Sequence, residues 1–172
     1  MLLTEAKQLY HRSVEARNSE SVLAIVAEQR AAKPERADVV QDLLALLAER
    51  MTALKRDKRA AAKQFLTDLK DFHGIDARAL NPKTKLDQFW KLEAADVFAH
   101  LKKNAKTLAT QNVRLTDTDE EKIRARFQRA QEKLVPLETQ IAFTDDLIDG
   151  IVYRLYGLTQ EEIQLVNQNS RK

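Results

Sequence analysis

Two apolar stripes, each in step with an α-helix for more than thirty residues, constrain this chain most. The first runs through Val40, Leu44, Leu47, Met51, Leu54, Ala61, Phe65 and Phe72 and predicts a helix over about 37–72, with Lys58 its polar exception. The second runs through Ile123, Phe127, Ala130, Leu134, Leu137, Ile141, Ile148, Ile151 and Leu155 and predicts a helix over about 118–156. Steps alternating between three and four residues are the coiled-coil pattern. Two comparable stripes on one polypeptide favour each other as partners over a parallel dimer. The expected fold is therefore all-α, a long antiparallel helical hairpin with shorter packing helices.

Composition agrees. Gly and Pro number three each among 172 residues, too few to punctuate an all-β chain, and helix formers dominate. Residues 4–16 and about 20–32 read as short helices, with Asn18 or Ser19 capping the second, and Pro34 suits the first turn of the next. Residues 1–33 then form an N-terminal pair of short helices and 34–172 the hairpin module, together one structural unit. Gly74 ends the first long helix, and 74–85, with Asn81-Pro82-Lys83, is a loop. Leu86 to about Leu108 is predicted helical, followed by a polar break over 110–116.

Local signals mark the helix ends. Thr118 and Glu121 have capping-box spacing, as do Thr159 and Glu162. Gly157 followed by Leu158 fits a left-handed helix stop with its apolar contact. Pro136 inside the second stripe predicts a kink near Glu132, whose carbonyl loses its donor. Gly150 reads as a weak point in the same helix, not a turn.

The residue inventory argues against catalysis. His11, His73 and His100 share no ligand spacing, and cysteine is absent. His11 is expected to face solvent, His73 to serve the last carbonyls of its helix, and His100 to lie in a basic helix. Asp145, Asp146 and Asp149 read as a solvated face. There is no Gly-rich phosphate loop and no nucleophile with a base beside it, so no cofactor, metal or small-molecule substrate is expected. No apolar run approaches the ~20 residues of a membrane span, so no membrane partner is expected. Lack of cysteine suits a reducing, cytoplasmic setting.

Charge is the remaining signal. Net charge is only +3, from 29 basic and 26 acidic residues, but the cations cluster. Lys55, Arg56, Arg59 and Lys63 crowd two turns around Lys58. Lys102, Lys103, Lys106 and Arg114 occupy a stretch with no acid between Asp96 and Asp117. Arg124 and Arg126, with Lys122, Arg129 and Lys133, load the start of the second long helix. Such clusters suit neutralisation of phosphates, which gives salt-sensitive, sequence-independent affinity. They equally suit a helical scaffold that needs charge only for solubility. The aromatics, Phe72 included, read as core.

The segment Ile151–Val166, IVYRLYGLTQEEIQLV, resembles the end of type IIG restriction–modification proteins and related N6-adenine DNA methyltransferases. Arg36–Leu44, Phe65-Leu66 with Leu69, and Thr84-Lys85-Leu86 resemble the same tail more weakly. The family's methyltransferase motifs, cofactor-binding glycines and nuclease carboxylate–lysine set are not among these residues. The resemblance therefore implies only the non-catalytic helical tail. It implies an accessory module of a DNA restriction–modification or adenine-methylation system, touching duplex DNA and a methyltransferase or specificity subunit. The alternative is a protein–protein scaffold that binds no nucleic acid.

Overall fold

In the computed structural model, residues 3–32 and 36–169 are described; Pro34 lies outside them. Among the described residues the regular elements are all helical: α1 (Leu3–Ala16), α2 (Glu20–Ala31), α3 (Ala37–His73), α4 (Ala94–Lys103), α5 (Ala105–Thr110), α6 (Asp117–Tyr156) and α7 (Gln160–Asn169), with single 3₁₀ turns at Ala77–Ala79 and Phe89–Lys91. The two predicted long helices are present, and α3 and α6 pack antiparallel. None of these helices is long and apolar enough to cross a membrane. By contacts the chain forms two compact units: residues 1–54 with 139–172, and residues 55–138.

In the first unit, Tyr10, Val22 and Val26 of the short helices join Val40, Leu43 and Leu47 of α3 and Leu147 and Ile151 of α6 in one core. Here the second stripe departs from expectation. Ile141 and Ile148 are half-buried, whereas Thr144 and Leu147 are buried completely. The helix faces α1 and α2 as well as α3, so its covered side is not the strict heptad one. Burying Thr144 needs partners for its hydroxyl. Tyr10 meets it at 2.7 Å, and it donates to the Gln140 carbonyl at 2.7 Å. Gly150 is explained by the same packing: a Cβ there would stand 3.3 Å from a methyl of Leu23 on α2.

In the second unit, Phe65 and Leu69 of α3 meet Ile123, Phe127 and Leu134 of α6. Val97, Leu101 and Leu108 come from the shorter helices, and Phe89 and Trp90 from the connection. Two sequence expectations are corrected here. Residues 86–108 are not one helix. Phe89 and Trp90 turn into the core on a 3₁₀ turn, and Gln131 donates to the carbonyls of Trp90 and Leu92, satisfying backbone that no helix serves. Asn104 then separates α4 from α5. Its buried amide donates to the carbonyls of Asn81 and His100 and accepts from the Asn81 N–H at 2.8 Å, fastening the 81–83 loop. The second correction is Phe72: Leu69 takes the core position, and Phe72 is 65 % exposed.

The helix ends follow local chemistry. Gly157 has φ +66°, with Leu158 N–H donating to Tyr153 and Gly157 N–H to Arg154, the double bond of a Schellman stop. Thr159 and Glu162 exchange their capping bonds at 2.8 and 3.3 Å. The box expected at Thr118 and Glu121 is instead formed by Thr116 and Asp119 at 3.1 and 3.2 Å. That places Thr118 inside the first turn, past the capping position. Asn18, not Ser19, supplies the side-chain acceptor for α2, from the Glu20 N–H. The helix α6 runs unbroken through Pro136.

Candidate nucleic-acid interface

All ten basic residues singled out in the sequence fall in the second unit. That unit carries 19 Lys and Arg against 13 Asp and Glu, a net +6; the first unit has 10 against 13, a net −3. The modest total of +3 thus averages a cationic unit with an anionic one.

On α3, Lys55, Arg56, Arg59 and Lys63 are exposed. Arg56 reaches only its neighbour Asp57, at 3.2 Å, an exposed pair worth little. Lys58, one position round the helix, is structural: it sits 3.2 Å from Glu138 and over the Trp90 ring. Glu138 also takes Lys91 and the indole N–H of Trp90. Burial would raise its carboxyl, but the hydrogen bonds from Trp90, Lys91 and Lys58 prevail and hold it below the ordinary value.

On α4 and α5, Lys102, Lys103 and Lys106 are exposed, and Lys102 pairs with Glu120 at 2.9 Å. Lys102 and Arg114 share a cleft of about 590 Å³ over an apolar floor that includes Ala105, Val113 and Leu115. On α6, Arg124 lies over Phe98 at 4.9 Å. Arg126 meets Asp68 at 3.4 Å and covers one face of Phe72 at 4.0 Å. Seven of the ten cations (Lys55, Arg59, Lys63, Lys103, Lys106, Arg114 and Arg124) have no carboxylate partner among the described residues.

Two groupings went beyond the singled-out set. Lys63 shares a hollow of about 290 Å³ with Lys70 and Arg78. Arg126 shares a groove of about 410 Å³ with Arg129 and Lys133. The sequence signal for the second was present: Lys122, Arg126, Arg129 and Lys133 recur at steps of four, three and four, one helical face.

The histidines do other work. His11 is exposed, beside Tyr10. The side chain of His73 is only 4 % exposed and turns to Asp119, 3.7 Å away, instead of serving its own helix end. Burial lowers its pKa, Arg126 and Lys122 lower it further, and Asp119 opposes them. His100 is buried in α4, with its pKa lowered by burial and by Lys85 and Lys103. Among the described residues no group of three or more His, Asp or Glu is placed to hold a metal ion. Asp145, Asp146 and Asp149 are exposed.

A family model described as a domain of unknown function (DUF8810) matches residues 37–152. The chain belongs to that family. The matched span takes in α3 to α5 and all but the last turn of α6; α1, α2 and α7 lie outside it. No curated protein and no solved structure matches the chain.

Proposed function

We propose that this DUF8810 protein is a non-catalytic helical module that binds the backbone of duplex DNA through its second unit. The observation that carries this reading is the segregation of charge, +6 against −3, with seven exposed cations on the basic unit that have no carboxylate partner among the described residues. A field of one sign raises the local concentration of a polyanion, and each lysine or arginine on a phosphate releases counterions. Phosphate contacts position a protein without reading sequence, so the binding is non-specific.

The wider setting rests on the resemblance at Ile151–Val166. It makes the protein a cytoplasmic accessory of a restriction–modification or adenine-methylation system, beside a methyltransferase or specificity subunit. Tyr156, Leu165 and Val166, all within that segment, are exposed, which supports a protein partner at that end. The same exposure favours the second reading, a scaffold that binds proteins alone.

The test is a titration of a labelled duplex of arbitrary sequence at ~50 mM salt and above. With about five phosphates neutralised, log K falls against log salt with a slope of about −4 to −5. Lys103→Glu with Lys106→Glu weakens binding to all sequences alike and leaves the melting curve unchanged. Lys102 is spared, since reversing it would set two carboxylates together at Glu120. No binding at ~50 mM salt, alone or with a cognate methyltransferase, removes this reading and leaves the scaffold.

A further inference from the structure

Phe72 is out of place. The aromatic rings Phe65, Phe89, Trp90 and Phe127 of the same unit are packed together in its core, yet Phe72 is 65 % exposed. It is held rather than loose: the Arg126 guanidinium lies 4.0 Å from its centroid, and Asp68 fixes that guanidinium at 3.4 Å. One face of the ring is backed by a cation, and about two thirds of the residue is open to solvent.

Beside it runs the groove between α3 and α6, lined by Arg126, Arg129 and Lys133 over Ala60, Ala61 and Ala130. The small residues keep the floor low enough for a chain to lie close to both helices. With Lys122, the cations form a line of four that spans 12 residues of α6, about 16 Å at the helical rise. The acid in the groove, Asp68, is already engaged by Arg126 and by Gln64 at 2.7 Å. Arg129 and Lys133 have no such partner among the described residues.

We infer that this groove holds an unpaired nucleic-acid strand, its phosphates along the Arg126–Arg129–Lys133 face and one base stacked on Phe72. The inference rests on the phosphate-binding reading above and sharpens it. A duplex keeps its bases stacked on one another and offers Phe72 nothing; a single strand offers a π-face of any sequence. Cations alone would serve both forms, so the exposed ring is what separates them. The unit therefore favours DNA with unpaired bases over fully paired duplex.

The experiment compares a short oligothymidylate with a blunt duplex of the same length, both titrated with the full chain at ~50 mM salt. Phe72→Ala weakens the single strand by about five- to a hundred-fold, the worth of one stacked base, and leaves the duplex unchanged. Phe72→Trp keeps the affinity, and its emission is quenched by the oligonucleotide; Trp90, only 7 % exposed, gives the background in the parent protein. Unchanged single-strand affinity in Phe72→Ala, or an equal loss on both probes, overturns the inference. In either case the basic-surface reading survives if Lys103→Glu with Lys106→Glu still weakens binding. Binding of neither probe overturns both and returns Phe72 to a protein partner.

Discussion

Phe89→Ala is the sharpest test of how the second unit is held together. Phe89 is fully buried on a single 3₁₀ turn, 4.1 Å from the Phe65 ring centroid, 5.4 Å from Trp90 and 6.1 Å from Phe127. Truncating a buried Phe costs about 3–5 kcal/mol, from lost transfer energy and an incompletely collapsed cavity. Its three aromatic neighbours place the cost toward the upper end. In a chain of this size each kcal/mol moves the melting temperature about 2–4 °C, so a drop of about 6–20 °C is expected. Circular dichroism follows the whole chain, while fluorescence of Trp90, the one tryptophan, follows the site itself. Phe72→Ala is the control. It removes the same side chain from an exposed position and shifts the transition by less than about 2 °C. A Phe89→Ala shift no larger than that of Phe72→Ala would refute the assignment of Phe89 to the core.

Three further outcomes are expected. Asn104→Ala strips the Asn81 loop of both side-chain bonds and leaves its part-buried N–H and carbonyl without their partner; it lowers stability by about 1–3 kcal/mol in urea unfolding, and an unchanged midpoint would refute the clamp. Thr159→Ala removes the cap of α7 and costs that helix about 0.5–2 kcal/mol, read as faster amide exchange over Gln160–Asn169. Unaltered exchange there would show that the box contributes nothing. Burial, with Arg126 and Lys122 against Asp119, holds His73 below its ordinary 6.5, so folding favours the neutral ring. Its contribution is complete above that value and is lost as pH falls through the lower folded pKa. The melting temperature therefore falls as pH drops below about 6.5, and falls less in His73→Gln; equal slopes refute the assignment.

Much of the fold was legible because the signals were local or periodic. The long helices, their lengths and the glycine stops all follow from residues a few positions apart, where helix geometry fixes who meets whom. Failures came where a distant partner decided. Nothing near Thr144 announces Tyr10, 134 positions away, as the group that lets a hydroxyl enter the core. Gly150 lies inside α6, as the helical period through it requires, but nothing near it announces Leu23, whose methyl would stand 3.3 Å from a Cβ there. Residues 86–108 carry helix-forming composition, yet Gln131 and Asn104 satisfy the backbone of a different path. Local propensity lost there to buried polar groups that only the tertiary structure brings together.

The candidate surface was legible in part, for a different reason. Charge clusters can be counted along a sequence, but their meaning depends on which cations remain unspent. Lys58 interrupts the first apolar stripe and is tied to Glu138 beneath Trp90, whereas Arg126, off the second stripe, backs an exposed ring. The compact units, not the clusters, make the polarity visible, because α3 and α6 each contribute to both and a count along either helix mixes the two. Phe72 shows the limit of periodicity. It keeps the seven-residue step from Phe65, so spacing puts it in the core, but the step says nothing about where the partner helix stops covering that face. What lies against Phe72 is Arg126, whose guanidinium stacks on the ring while most of the residue stays exposed, a cation–π contact instead of a core contact.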